Sequence, residues 1–241
     1  MADPMQQFLD GHLMRGECAF DIGANQGHYT RCMLERVGPK GTVDAFEPNP
    51  EMAAVLRSAV AAPNVKVHQC AVSEAITPHK EFFVDRREGM QAVASSFNRL
   101  DGLDGLTQPI QVETITIDHF CALHGVKPKL IKIDVEGHEL EVLRGAVDTI
   151  DRFRPIIAFE FWETWWDKSV RRIFDYLRMH YQLIRVQDGA LVNDYYYTHR
   201  GTETVDIGCV PVEAMRGEPI DPQILMSNDG SSHEEIAASG V

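Results

Sequence analysis

The sequence predicts an open α/β sheet of the nucleotide-binding kind, and three observations predict it. The first is the stretch from Cys18 to Pro39. A short apolar run ends at Asp21, Gly23 and Gly27 punctuate a turn, and Tyr29, Met33, Leu34 and Val37 then recur as one helical face before Gly38 and Pro39 stop it. Strand, glycine turn and helix in that order open such folds. The second is the alternation of short strand-like runs with amphipathic helical runs along the chain. The third is an acid at the end of four expected strands, Asp21, Glu47, Asp134 and Glu160, with Gln69 ending a fifth. Open α/β sheets bind ligands at those carboxyl ends, and an unpartnered buried carboxylate is too costly to be packing alone.

Residues 1–16 read as a short helix or arm, with Met5, Phe8, Leu9 and Leu13 on one face. Residues 41–46 read as a second strand, ending at Glu47. Asn49 then caps a helix whose first position suits Pro50 and whose first turn suits Glu51. Residues 64–69 alternate as a third strand. Lys80 to Val84 reads as a strand, and residues 89–107, rich in Ser, Gly and Asp, as a loop insertion over the active face. Ile110 to Ile117 alternates as a strand, after which Asp118 caps a short helix to Leu123. Leu130 to Ile133 is a central strand, followed by a helix from about His138 to Ala146 with Leu140 and Leu143 inward. Arg154 to Phe159 is the next strand, and Trp166, Val170, Ile173, Phe174 and Leu177 mark an amphipathic helix. Tyr181 to Val186 and Val205 to Val210 close the sheet as an antiparallel pair. The expected division is an arm (1–16), one catalytic domain (17–212) and a weakly ordered acidic tail (213–241), which carries six acids and one Arg.

The chain has 241 residues, 44% of them hydrophobic, enough for one sizeable core. A formal net charge of -13 makes nucleic acid a poor partner expectation, because phosphate binding wants clustered Lys and Arg. Five cysteines without paired spacing point to a reducing compartment, and so to the cytoplasm. The first ten residues lack a basic region and a long apolar run, so no signal peptide is expected, and no window approaches the ~20 apolar residues of a membrane span.

The turn at residues 23–27 is not the dinucleotide fingerprint, since Asn25 stands where a second glycine would be. Asp21 would repel a pyrophosphate but attract a sulfonium. A cofactor with positive charge and an adenosine is expected, and S-adenosylmethionine (SAM) has both. Residues 21–27, D-I-G-A-N-Q-G, resemble the first motif of class I SAM-dependent methyltransferases. Together with residues 46–50, F-E-P-N-P, and 131–146, I-K-I-D-V-E-G-H-E-L-E-V-L-R-G-A, the chain is similar to the FkbM family of methyltransferases over roughly residues 17–186. That resemblance implies a Rossmann-like sheet of about seven strands, mostly parallel, with helices on both faces. It also implies methyl transfer to hydroxyls of natural products and glycans.

Candidate cofactor residues are Asp21, Gly23, Asn25, Gly27, Glu47, Pro48, Gln69, Ala71 and Asp134. Glu47 is placed to take ribose hydroxyls, and the resemblance puts adenine beside Gln69 and Ala71. Candidate catalytic residues are Asp134, Glu136, His138 and Glu160. His138 has a suitable ordinary pKa for a base, and Glu136 or Asp134 would serve if burial raised theirs. Ser95 and Ser96, which match small hydroxyl residues of the FkbM pattern, and Trp162 and Trp165 are candidates for the acceptor. A divalent cation on Asp134, His138 and Glu160 is possible but not favoured: catechol-type methyltransferases carry carboxylate plus amide at the second strand end, where Glu160-Phe161 stands here. The expected function is O-methyl transfer to a small molecule or sugar. A nitrogen acceptor, or a non-catalytic SAM-binding protein on the same scaffold, stays open.

Overall fold

The computed structural model describes residues 3–87, 95–97, 106–162, 168–192 and 204–212. Seven strands form the main sheet: β1 (Cys18–Ile22), β2 (Thr42–Phe46), β3 (Val65–His68), β7 (Leu130–Ile133), β8 (Ile156–Trp162), β9 (Tyr181–Arg185) and β10 (Thr204–Pro211), in the order β3-β2-β1-β7-β8-β10-β9. All are parallel except β10, which runs antiparallel to β8 and β9. The order reverses direction between β1 and β7. That switch point is where open α/β sheets leave a crevice for a ligand.

Apolar burial explains the layers. On one face β1, β7 and β8 place Phe20, Ile131, Ile133, Ile157 and Phe159 against α4 (Ile117–His124), α5 (Glu139–Arg144) and α7 (Lys168–Arg178). Phe20, Phe46 and Phe120 meet edge to face with ring centroids 5.0 to 5.7 Å apart, a geometry worth about 0.5–1.5 kcal/mol per pair beyond area burial. On the other face α1 (Pro4–His12) and α2 (His28–Val37) set Met5, Phe8, Leu9, Met33 and Val37 on Val43, Leu130, Ile156 and Ala158. The N-terminal arm is therefore a helix on the sheet face. Asp3 caps it by accepting from the amides of Met5 and Gln6. Next to β2, Asn49 caps α3 (Pro50–Ala59) by accepting from Glu51 N at 3.0 Å, as its sequence predicts.

A second sheet, β4-β6-β5, stands apart from the first: β4 (Ala71–Val72), β5 (Thr77–Asp85) and β6 (Thr107–Ile115). β5 exceeds its expected bounds at both ends and β6 begins three residues early, because they pair with each other along most of their length, while β6 stops at Ile115, short of the expected Ile117, where α4 begins. Ala71, Phe82, Val84 and Val112 give this sheet its own small core. Of the insertion between the strands only residues 95–97 are described, and Ser96 pairs with Phe83 through two backbone bonds of 2.8 and 3.0 Å.

Two expectations about helix ends change. Thr116, not Asp118, caps α4, its hydroxyl accepting from His119 N at 3.1 Å. The Asp118 carboxylate instead accepts from the amides of Asp148 and Thr149, at 3.1 and 2.7 Å, at the start of α6 (Val147–Phe153). The helix expected from about His138 to Ala146 is α5, which stops at Arg144, and α6 follows it without having been expected. The break falls at Gly145, where a Cβ would come within 2.2 Å of the Ser73 carbonyl oxygen. Local pattern could not show α6 because its cap comes from 30 residues away. The acidic segment 213–241 and Trp166 lie outside the described residues. Among the described residues no helix is long and apolar enough to cross a membrane.

Replacing Thr116 by Ala should cost about 1 kcal/mol through loss of a single cap, measured by urea denaturation. Asp118→Ala, which frees two amides at α6, should cost more. Equal losses, or a larger loss at Thr116, would contradict this assignment of the caps.

Candidate active site

The ends of β1 and β7 meet through backbone. Asp134 N donates to Ile22 O at 3.0 Å, and the amides of Gly23 and Ala24 both donate to Phe46 O on β2 at 3.0 Å. The approach is so close that a Cβ on Gly23 (φ 77°) would stand 1.8 Å from the Asp134 carbonyl oxygen. Only glycine fits there. Asn25 follows in the left-handed region at φ 49°, which Asn tolerates well. Gly27, also left-handed at φ 85°, precedes α2, and a Cβ on it would press on Leu56 of α3 at 2.5 Å. Gly27 serves helix packing and does not reach the cavities described below.

Two cavities open at these strand ends. The larger, with about 930 Å³ of empty space including its open mouth, is bounded by Gly23, Asn25, Glu47, Pro48, Asn49 and Met52 on one side. Phe46, Cys70, Ala71 and Val72 give it an apolar wall, and Phe82, Ser95 and Phe97 of the second sheet cover it. Asp134, Val135, Glu136 and Glu160 close its far end. The smaller, with about 510 Å³ counted the same way, is lined by Gly23, Ala24, Asn25, Gln26, His28, Tyr29, Lys132 and Asp134. Gly23, Asn25 and Asp134 belong to both.

Glu47 is held by its backbone neighbours. One carboxylate oxygen accepts from Asn25 N at 2.9 Å and the other from Asn49 N at 2.8 Å. Burial pushes its pKa up to about 7, against the lowering effect of those two amides. A carboxylate has about four lone-pair sites, so two remain for a ligand. Gln69 is not in the wall. It is exposed, and its side-chain oxygen accepts from Arg57 at 3.4 Å. Ala71, two residues on, is the one that reaches the cavity.

Asp21 departs furthest from its sequence expectation. It is fully buried and lines neither cavity. The Thr30 hydroxyl donates to one of its oxygens at 2.5 Å, and Lys132 Nζ stands 3.5 Å from the other. Lys132, also buried, donates to Asp134 at 3.0 Å and lies 4.8 Å over the Tyr29 ring. Burial pulls its pKa down, but Asp134 and Asp21 outweigh that and hold it above the usual lysine value. The acid at the tip of β1 therefore faces an internal ammonium.

The loop after β7 and the strand β8 bring three carboxylates together. Carboxylate atoms of Asp134, Glu136 and Glu160 all lie within 4.8 Å of one another. Glu136 has a left-handed backbone, φ 54°, followed by Gly137 at 91°. For a residue with a Cβ this costs about 1–3 kcal/mol and needs outside support. Ser96 supplies some, its buried hydroxyl donating to Glu136 O at 2.7 Å. Glu139 supplies more, accepting from the amides of Val135 and Gly137 at 3.3 Å. Burial first, then Asp134, Glu160 and Glu139, push the Glu136 pKa up to about 8.

His138 is not brought to this group. Its buried ring lies behind Phe97, ring centroids 4.4 Å apart, with Nε2 at 3.0 Å from Ser73 Oγ and 3.3 Å from Lys80 Nζ. Burial and then Lys80 pull its pKa down to about 3, so the imidazole is neutral and engaged. The combination of Asp134, His138 and Glu160 expected for a cation does not come together, and Lys132 already occupies Asp134. Ser95 lines the cavity, its hydroxyl accepting from Asp85 N at 3.2 Å, whereas Ser96 turns away to the Glu136 carbonyl. Trp162 ends β8, but its side chain, like the whole of Trp165, lies outside the described residues. The sequence reading missed Lys132, Tyr29, Phe82 and Phe97. For Lys132 a signal existed: a lysine inside the apolar strand L-I-K-I, at a position where lysine is buried only when paired.

With the geometry known, comparison with other proteins decides the family. The family model for the methyltransferase FkbM domain matches residues 21–183. The chain belongs to the FkbM methyltransferase family. SAM is the methyl donor of this FkbM domain. Its fold is similar to the crystal structure of methyltransferase FkbM from Methylobacillus flagellatus KT, at 18% identity and a TM-score of 0.52 over 80% of this chain and 43% of that one. The chain thus spans less than half the length of the M. flagellatus protein. A putative rRNA-methylase from Clostridium thermocellum (9% identity, 88% of this chain and 97% of that one) and an rRNA methylase from Streptococcus thermophilus (10% identity, 88% and 99%) both have a TM-score of 0.50 and share the fold. No curated protein matches in sequence.

Lys132→Met should destabilise the FkbM domain by about 3–5 kcal/mol, because it strands the buried Asp21 carboxylate. Urea denaturation measures this, and a loss under about 1 kcal/mol would show that the ammonium is not what makes Asp21 tolerable.

Proposed function

We propose that this FkbM domain transfers a methyl group from SAM to a hydroxyl of a small molecule, natural product or sugar. The observation that carries the reading is the junction of the two cavities at Asp134, beside Glu136 and Glu160. A SAM molecule is long and bent, and two cavities sharing one wall suit its two arms. The adenosine occupies the larger. Glu47 takes the ribose hydroxyls, while Phe46, Pro48, Ala71 and Val72 pack on the base. The methionine arm occupies the smaller, where Lys132 and His28 face its carboxylate and Asp134 its ammonium. The sulfonium then lies at the shared wall, next to the carboxylates.

The reaction is an in-line displacement. The acceptor oxygen attacks the methyl carbon, the carbon–sulfur bond breaks, and sulfur keeps the electron pair. Holding oxygen, carbon and sulfur in line supplies much of the rate. Glu136 takes the hydroxyl proton, a task suited to a carboxyl whose pKa lies near neutrality. Asp134 stays with Lys132 and orients the loop, and Glu160 and Ser95 hold further hydroxyls of the acceptor. The formal charge of -13 supports a small acceptor over a polyphosphate.

Calorimetry with SAM and with S-adenosylhomocysteine tests the donor site: Glu47→Ala should weaken both at least about tenfold, or ~1.4 kcal/mol. Labelled SAM offered with a panel of polyols, glycans and RNA tests the acceptor. Unchanged affinity in the variant would remove Glu47 from the site, and label found only on RNA would overturn the hydroxyl-bearing small acceptor.

A further inference from the structure

The net reaction proposed above releases one proton per methyl group, and the enclosed end of the cavity suggests when that proton leaves. Glu136 cannot retreat from its neighbours. Ser96 holds its carbonyl, Glu139 holds the amides on either side of it, and Phe97 covers the loop from the second sheet. Among the described residues the charged groups about its carboxyl include Asp134 and Lys132 from β7, Glu160 from β8 and Glu139 from α5, with Glu47 across the same cavity. Residues 95–97 bring hydroxyls and an aromatic ring, not charge. The ammonium of Lys132 is committed to Asp134 and Asp21. Carboxylates this close, partly buried and with their lysine already engaged, do not all ionise together.

We propose that Glu136 begins each cycle carrying a proton, surrenders it to solvent when the sulfonium of the donor binds, and recovers one from the acceptor hydroxyl during transfer. The positive sulfur favours the ionised carboxyl just as an arginine would, so the donor creates the base it needs. In the transfer step the acceptor O–H bond breaks, its proton joins Glu136, the oxygen–carbon bond forms and the sulfur becomes neutral. The product S-adenosylhomocysteine then presents a neutral sulfur to a protonated Glu136, so the attraction between sulfonium and carboxylate that favoured the donor is gone. The burial and like-charge neighbours that raise the carboxyl toward pH 8 agree with this order. The proposal rests on the donor placement given above.

Isothermal titration at about pH 7, in buffers of differing ionisation enthalpy, counts the protons released on binding. SAM and S-adenosylhomocysteine are titrated into the full chain with a chelator present throughout. SAM should release more protons than S-adenosylhomocysteine, by roughly one-half to one per site. In Glu136→Gln, which retains size and hydrogen bonding, that excess should vanish while SAM affinity changes by less than about tenfold. Equal release by the two ligands in the native protein, or an excess that survives in Glu136→Gln, overturns the proposal and leaves the donor site standing. Failure of either ligand to bind removes the donor site and the proposal together.

Discussion

A buried ammonium between two carboxylates holds the centre of this molecule. Lys132 sits inside a central strand with Asp21 on one neighbour and Asp134 at its own strand's end. Neither Lys132 nor Asp21, both buried, would be tolerated there alone, since an uncompensated buried charge costs several kcal/mol. Together they tie the tips of β1 and β7 across the switch point of the sheet. Asp134 is thereby stationed at the wall common to both cavities. The close passage of Gly23 under the Asp134 carbonyl is the backbone side of the same constraint.

The second sheet completes the site from above. Phe82 and Phe97 pack edge to face, 5.2 Å apart, and both border the larger cavity. Phe97 also bears the Lys80 ammonium on its face at 4.3 Å and leans on His138. On the opposite side Arg86 makes an ion pair with Glu51 at the start of α3, at 2.8 Å. That pair is exposed and worth at most about 1 kcal/mol, so the packing of Phe97 on the His138 ring is the firmer anchor. His138 thus matters to the site by supporting its roof, with Nε2 turned to Ser73 and Lys80 and Nδ1 to Glu141.

Much of the fold was legible because it follows from local chemistry. The glycine turn after β1, the Asn49 cap, the strand-ending acids and the antiparallel closing pair all follow from residue type and period. The family motifs supplied the strand number. What could not be read were the contacts between distant segments. The cap that Asp118 offers to α6, the hold of Ser96 on Glu136 and the withdrawal of His138 behind Phe97 each join residues 30 or more apart in sequence. Asp21 shows the same limit. Its type suggested a charge to be met, and the charge it meets is internal, from Lys132 on the adjacent strand. The electrostatic argument for a cationic donor therefore passes to Asp134, Glu136 and Glu160, which reach the cavity together at one end, with Glu47 on its other side.

The structure of the complex with S-adenosylhomocysteine tests the central claim most directly. The account places the sulfur at the wall formed by Gly23, Asn25 and Asp134, with the ribose on Glu47 and the amino-acid arm toward Lys132. A ligand bound away from that wall, or one whose two arms both lie in a single cavity, would contradict it.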